Sequence, residues 1–369
     1  MFKNMEVLNI FINDIIVGRL TIIKENNLAA FEYGNNFIKD GFSISPFYLP
    51  LKQGVFVAKQ EPFNGMFGVF NDSLPDGWGQ LLIDRFLINN RIDLSTVTIL
   101  DRLSIVGDNG KGALTYKPQN NLYEDSKNTD INYLAKEVKK ILNEDYTGDL
   151  AALVAKGGSS GGARPKVCIK IDNEDWIVKF PSSQDIKNIG EIEYLYSTVA
   201  KKCSINMPET KLIEKKYFAV KRFDRDKNKK IHMHSAAGLL YASHRLPSLD
   251  YIDLINLTLQ LTKDISQAVE MFRLMVFNIL TYNNDDHSKN FSFLYKDDKW
   301  ILSPAYDLVY STGFNNQHTT TVAGKGIPTK EDIFVVAKET EINKKTAMNI
   351  FDEIFENTRN LRKDLKIKF

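Results

Sequence analysis

The stretch that most constrains this chain is Asn283-Asn284-Asp285-Asp286-His287-Ser288-Lys289-Asn290, followed after two short apolar runs by Ser303-Pro304-Ala305-Tyr306-Asp307. Residues 291–295 and 299–302 read as two strands closed by the polar turn Lys296-Asp297-Asp298. An antiparallel pair returns a chain to the end at which it began. Asp307 is therefore expected close to Asn290 and Asp285. Two carboxylates and a carboxamide converging on one rim are what holding Mg²⁺ on a nucleotide and orienting a hydroxyl nucleophile require. The chemistry this predicts is phosphoryl transfer.

Composition leaves that reading open and closes others. With 369 residues the chain is long enough for two or three domains. Its 48 basic and 46 acidic side chains give a net charge of +2, which argues against a histone-like or arm-like binder of nucleic acid. The best apolar run, residues 269–280, is broken by Glu270 and Arg273 and is too short to cross a bilayer. Glu6 and Asp14 interrupt the N-terminal apolar stretch, which lacks a signal-peptide layout. Cys168 and Cys203 are the two cysteines, a usage that points to a reducing compartment with both as packing residues. The expected location is the cytoplasm, with no membrane partner.

The chain has no repeats and reads in three parts: residues 1–118, 119–225 and 226–369. The first is β-rich. Residues 7–12 and 15–22 flank Asn13-Asp14, a two-residue hairpin signal, and residues 81–87 have helical spacing after the turn Leu74-Pro75-Asp76-Gly77-Trp78-Gly79. A polar stretch, residues 119–130, marks a boundary. A helix over 131–143 is expected next, then a long loop ending in Gly157-Gly158-Ser159-Ser160-Gly161-Gly162. Strands over 167–171 and 176–180 follow, and then a helix over 190–202 with Ile192, Leu195 and Val199 on one face. Another strand pair is expected over 211–214 and 217–223. Beyond Asp226 the pattern turns mostly helical, clearest over 254–261 and 265–282. The fold class is α+β: a β-rich N-terminal part and a mostly helical C-terminal lobe, in a two-lobed, protein-kinase-like plan.

Each part carries chemistry and also a plainer reading. Glycines let a backbone approach phosphate oxygens, so the Gly157–Gly162 run is a candidate phosphate loop; alone it equally reads as a surface linker. It is neither a Walker A loop nor G-x-G-x-x-G. Lys179 stands where a kinase strand lysine meets the α- and β-phosphates, although a lysine in a short apolar strand often just faces water. Glu193, on the next helix, would keep Lys179 charged and aimed. Asp285 and Asn290 have the five-residue spacing of the kinase catalytic loop; the plain alternative is a polar turn capping a helix. His287 and His232-x-His234 are potential metal ligands, the latter pair reading more simply as solvated or packed residues.

Gly161-Gly162-Ala163-Arg164-Pro165-Lys166, Trp176 to Pro181, Arg222-Phe223-Asp224-Arg225, Asn284 to Ser292 and Ser303 to Leu308 resemble the HipA family of bacterial serine/threonine kinases, toxins of type II toxin–antitoxin pairs. The Leu74 to Gly79 turn and Val106-Gly107 to Gly112-Ala113-Leu114 resemble that family's N-terminal subdomain. The resemblance implies ATP and Mg²⁺ as cofactors. It makes Asp285 the catalytic aspartate and Asn290 and Asp307 the Mg²⁺ ligands. It places Lys179 and residues Gly161, Gly162, Ala163, Arg164, Pro165 and Lys166 at the phosphates, with Lys221, Arg222 and Phe223 at the adenine. His287 and Lys289 join the nucleotide-contacting set. It also implies an autophosphorylated serine in the Gly-rich loop, matched by Ser159 or the adjacent Ser160. The partners it implies are a HipB-like helix-turn-helix antitoxin, DNA indirectly through that antitoxin, and a protein substrate such as an aminoacyl-tRNA synthetase.

The sequence departs from the family in one place and from eukaryotic kinases in another. Asp286 stands where the family often has glycine, a second carboxylate expected to bind another cation or to face water. Asp307-Leu308-Val309 replaces D-F-G and there is no A-P-E segment, so activation-loop control of the eukaryotic kind is not expected. Two further readings stand beside the kinase. One is a kinase-fold corepressor that works mainly by binding the antitoxin. The other is a metal-dependent phosphohydrolase using His287, Asp285 and Asp286.

Overall fold

The structure is a computed structural model that describes residues 2–120, 128–145, 147–183, 185–227, 229–243 and 246–367. Contacts divide the chain into two units. One runs to Gly190 and resumes over Lys211–Met233; the other comprises Glu191–Thr210 and the chain from His234 onward. Of the polar stretch 119–130, residues 121–127 lie outside the described residues.

The first unit opens with a five-stranded antiparallel sheet in the order Val55–Val57, Leu28–Tyr33, Ile15–Ile23, Val7–Ile12 and Leu114–Lys117. Asn13 and Asp14 both take the left-handed conformation, at φ 45° and 69°, the mirror-image turn whose twist suits a two-residue hairpin. One face is closed by Leu8, Ile10, Leu20, Phe31 and Phe70, all fully buried. A second sheet contains Lys166–Ile171, Glu174–Lys179 and Tyr217–Lys221, with Thr210–Ile213 at its edge. The helices Gly77–Asn89, Ile131–Leu142 and Leu150–Gly157 pack on it, so Trp78, Leu82, Val138, Leu153, Trp176 and Val178 share one apolar cluster. Residues distant in sequence thus close one core.

One expectation fails here. The long loop before the Gly-rich run contains the helix Leu150–Gly157. Asp149 caps it by accepting the Ala152 N–H at 3.0 Å, and Leu153 and Val154 bury one side of it. Gly157 therefore belongs to a helix, and the free part of the loop begins at Gly158.

The second unit is helical around Ile265–Thr281, which runs through the middle of its core with Phe272, Met275, Val276, Phe277 and Leu280 at zero exposure. A helix apolar on nearly all sides is one surrounded by others. Tyr251–Thr262, Lys330–Glu339 and Lys344–Asn357 supply neighbours, and the hairpin Ser292–Lys296 and Lys299–Leu302 lies among them. The helix Ile189–Lys202 belongs mostly to this unit. Its buried face is Tyr196, Val199, Ala200 and Cys203; Leu195, expected on that face, is 41% exposed. The stripe runs through Tyr196 and Ala200, while Ile192 and Val199 of the expected face do pack against the core. Tyr196 can be buried because its hydroxyl donates to the Thr281 carbonyl at 2.5 Å.

Among the described residues no helix is long and apolar enough to cross a membrane. The expected β-rich N-terminal part and helical C-terminal part are both present, and the fold class is α+β.

Candidate active site

At the end of the helix Ile265–Thr281, Tyr282 turns left-handed at φ 54° and frees the chain into the stretch 283–290. Asn283 stays tied to the helix: its N–H and Nδ2 donate to the Asn278 carbonyl and Oδ1, each at 3.0 Å. Asp285 then faces outward, exposed. The loop closes when Asn290 Nδ2 donates to the Asp285 carbonyl at 2.8 Å, across a short 3₁₀ turn Ser288–Asn290. With its amide nitrogen engaged, the Asn290 Oδ1 is the atom left to serve as a cation ligand.

The hairpin brings the chain back. Phe293 pairs with Leu302 and the Ser303 N–H donates to the Ser292 carbonyl at 2.9 Å. The Tyr306 hydroxyl donates to the Lys289 carbonyl at 2.6 Å and lies 2.6 Å from Ser292 Oγ. The residue before Asp307 is thus bonded to the residue before Asn290. Asp307 itself takes φ 59°, a left-handed conformation that a non-glycine residue adopts only at some cost. Tyr306 had no assigned role in the sequence, although its place beside Asp307 was the available signal. The expected ligand types, carboxylate and carboxamide oxygens, suit Mg²⁺ rather than a softer metal. Among the described residues no group of three or more His, Cys, Asp and Glu could hold a metal alone. Mg²⁺ does not need one, because it usually takes most of its ligands from phosphates and water.

Asp286 overturns its expectation. It neither faces water nor is open to a cation: its carboxylate is 1% exposed and already accepts four hydrogen bonds. A metal-dependent phosphohydrolase that needs Asp286 as a ligand loses that ligand. His232 and His234 are packed, as the plainer reading had it; both are buried, and His232 Nε2 lies 2.9 Å from the Ile44 carbonyl.

In the first unit the Gly-rich loop is held by the Leu74 to Gly79 turn. The Trp78 N–H donates to the Gly162 carbonyl at 3.0 Å, its Nε1–H to the Lys166 carbonyl at 3.2 Å, and the Gly162 N–H donates to the Asp76 carboxylate. A Cβ on Gly79 would stand 2.3 Å from the Ser160 carbonyl oxygen, and one on Gly77, at φ 46°, 2.5 Å from that of Gly162. Only glycine admits that approach. Lys166 Nζ donates to the Gly161 carbonyl at 2.6 Å, and a Cβ on Gly161 would lie 2.3 Å from Lys111 Nζ. Two ammonium groups thus flank the loop, and sequence reasoning named only Lys166. Ser159 is half-buried and its hydroxyl donates to the Asn109 carbonyl at 2.6 Å; Ser160 is buried, its hydroxyl on the Gly157 carbonyl at 2.6 Å.

Past the loop, Arg164 pairs with Asp185 at 3.0 Å and the Pro165 carbonyl accepts the Phe180 N–H at 2.8 Å. Lys166 and Lys179 are direct cross-strand partners. Lys179 Nζ sits 5.6 Å from the centre of the Phe218 ring. Lys221 ends its strand in an ion pair with Glu174, and the Arg222 N–H donates to the Asp175 carbonyl at 2.8 Å. The Arg222 guanidinium and that of Arg225 close on Asp224, whose carboxylate also accepts the Gly112 N–H at 2.7 Å. Glu193 is buried on its helix in the second unit. Ala163 and Phe223 complete the stretches already named.

Residues 158–361 match the HipA-like C-terminal domain and residues 8–117 the HipA N-terminal domain. The chain belongs to the HipA family. It is 26% identical over 208 residues to a Sinorhizobium fredii protein named "Putative kinase Y4dM", covering half of each chain. It is also 26% identical over 205 residues to a Haemophilus influenzae "Putative kinase", covering 48% of this chain and 60% of that one. The chain therefore spans about half the length of the curated relatives it matches. Among solved structures it is similar in fold to HipA in the complex of Shewanella oneidensis HipA, HipB and operator DNA, with TM-score 0.73, 18% identity, and coverage of 98% of this chain and 91% of that one.

Proposed function

We propose that the protein is an ATP- and Mg²⁺-dependent serine/threonine protein kinase acting as the growth-inhibiting toxin of a type II toxin–antitoxin pair. The observation that supports this most is that Asn290 closes on the Asp285 carbonyl while Tyr306, the residue before Asp307, closes on the Lys289 carbonyl, with Asp285 itself exposed. In this reading Asp285 accepts the proton of the acceptor hydroxyl as its oxygen attacks the γ-phosphorus and the bond from that phosphorus to the β–γ bridging oxygen breaks, ADP leaving. Asn290 Oδ1 and Asp307 would hold Mg²⁺, which when bound neutralises charge on the phosphate oxygens.

The phosphates fall to the backbone N–H groups of residues 161–166, to Lys166 and to Lys179, the last kept charged and aimed by Glu193. Lys111 joins them because its ammonium already lies over Gly161. His287 and Lys289 would contact the nucleotide as well, and residues 221–223 its adenine. Ser159 is the better autophosphorylation candidate, since the Ser160 hydroxyl is buried. A phosphate on Ser159 would repel those of ATP and switch the kinase off. A HipB-like helix-turn-helix antitoxin is the partner supported by the composition of the Shewanella complex. DNA contact through that antitoxin suits a net charge of only +2. The acceptor class is a translation-related protein such as an aminoacyl-tRNA synthetase, and the location is the cytoplasm.

The test is label transfer from γ-labelled ATP with Mg²⁺. Phosphate should appear on Ser159, vanish in Ser159→Ala, and fall by about 10²–10⁴-fold in rate when Asp285 is replaced by Asn. ATP binding with no transfer to any residue would instead support a corepressor.

A further inference from the structure

The segment that follows Asp307 is stitched to the catalytic loop along its length. The Asn284 N–H donates to the Ser311 carbonyl at 3.1 Å, and Asn284 Nδ2 to the Thr312 carbonyl at 3.0 Å. From the returning limb, the Thr319 N–H donates to the Asn284 carbonyl at 3.0 Å. The residue immediately before Asp285 therefore carries both limbs of the segment.

Asp286, the residue immediately after Asp285, completes the attachment. Its Oδ1 accepts the N–H groups of Thr319 at 2.9 Å and Thr320 at 3.2 Å. Its Oδ2 accepts the Tyr251 hydroxyl and meets His318 Nδ1, each at 2.7 Å. The Thr320 hydroxyl donates to the Asp286 carbonyl. Behind Tyr251 the chain of bonds continues: its hydroxyl accepts from Asn278 Nδ2 at 2.9 Å, and Asn278 Oδ1 accepts from Asn283. Tyr251, Asn278, Asp286, His318 and Thr320 are all buried. A carboxylate desolvated this fully is stable only because every acceptor site is filled.

Resting on the kinase reading, we propose that Asp286 is a positioning residue that fastens residues 311–320 against the catalytic loop and so aims Asp285, leaving the site assembled with no covalent modification of that segment. Kinases whose activation loop is ordered by phosphorylation use an acquired anion, paired with arginine, to order it. Here the anion is encoded beside the catalytic aspartate, and its partners are two backbone N–H groups, a tyrosine hydroxyl and an imidazole. An acquired anion is a switch; a buried encoded one is permanent.

The experiment compares wild type, Asp286→Asn and Tyr251→Phe after phosphatase treatment, with mass spectrometry confirming that residues 311–321 carry no phosphate. Phosphatase-treated wild type, its Ser159 phosphate removed as well, should transfer phosphate to a synthetic peptide spanning residues 153–166 at a rate no lower than before treatment. Asp286→Asn presents an amide N–H₂ toward two donors, so its kcat should fall at least ten-fold with the KM for ATP changed less than two-fold. Tyr251→Phe, which keeps the ring and loses one donor, should fall by several-fold in the same parameter. Hydrogen exchange at the Thr319 and Thr320 amides should accelerate in Asp286→Asn while the helix Ile265–Thr281 stays protected. The idea is overturned by an Asp286→Asn protein with wild-type kcat, or by kcat and ATP affinity collapsing together with protection lost throughout, which marks a structural residue only. It is equally overturned if phosphatase-treated wild type is inactive until the segment is phosphorylated. A wild type that transfers no phosphate overturns the kinase reading, and the exchange measurement then decides the fastening by itself.

Discussion

Asp224 lies buried between Arg222 at 2.7 Å and Arg225 at 3.0 Å, with the Gly112 N–H as a third donor. Burial alone would raise its pKa, but the two guanidinium groups outweigh it and hold the carboxyl far below the usual carboxylate range. A folded-state pKa below the unfolded one means that the unfolded chain binds the proton first. This contribution to stability is therefore complete above the ordinary value of 3.8 and declines as pH falls below it. Asp224→Asn leaves two buried cations with a neutral partner and should cost about 3–5 kcal/mol, measured by denaturant unfolding at pH 7, with the acid-side loss of stability reduced. Lys111 is a second test at this scale. Lys111→Met should weaken ATP binding by about ten-fold or more, the worth of a charge-assisted bond, and leave adenosine binding unchanged. Equal affinity for ATP in the variant would remove Lys111 from the phosphate set. The sequence displayed Arg222 to Arg225 as a motif but not as an ion cluster, because Gly112 lies far away in the chain. Lys111 was illegible for the same reason: nothing local links it to Gly161.

At the scale of elements, what local rules govern was legible. The hairpin 291–302 was readable from alternation and its polar turn, and it delivers Tyr306 to Lys289 as a returning strand must. Strand alternation sets Lys179 against Trp176, Val178 and Phe180, and these three are buried while Lys179 is half-exposed. The helix Leu150–Gly157 escaped because it has eight residues between a turn and a glycine run, too short for periodicity to declare. The Leu195 error has a similar origin, since apolar character does not say which helix face the core will take. The turn-to-loop contact supplies the prediction here. Gly79→Ala forces a methyl to within 2.3 Å of the Ser160 carbonyl oxygen, so the Gly-rich loop must shift. It should destabilise the fold by about 1–3 kcal/mol, read as a fall in Tm, and raise the KM for ATP. An unchanged KM would detach the turn from nucleotide binding.

Across the whole molecule, the proposed kinase reading assigns the phosphate-contacting glycines and lysines to one contact unit and the carboxylates and carboxamide to the other. Their order along the chain carried the family resemblance. Their roles depend on tertiary contacts that no spacing reveals, as Asp286 shows by being spent on internal hydrogen bonds. The most direct measurement is single-turnover transfer of γ-phosphate across a Mg²⁺ titration in wild type, Asp285→Asn and Asp307→Asn. Wild type should transfer at low Mg²⁺, Asp307→Asn only at much higher Mg²⁺, and Asp285→Asn at a rate down by about 10²-fold or more however much Mg²⁺ is added. Wild-type transfer by Asp285→Asn, or an unchanged Mg²⁺ requirement in Asp307→Asn, would contradict the assignment of this rim as the place where phosphate is moved.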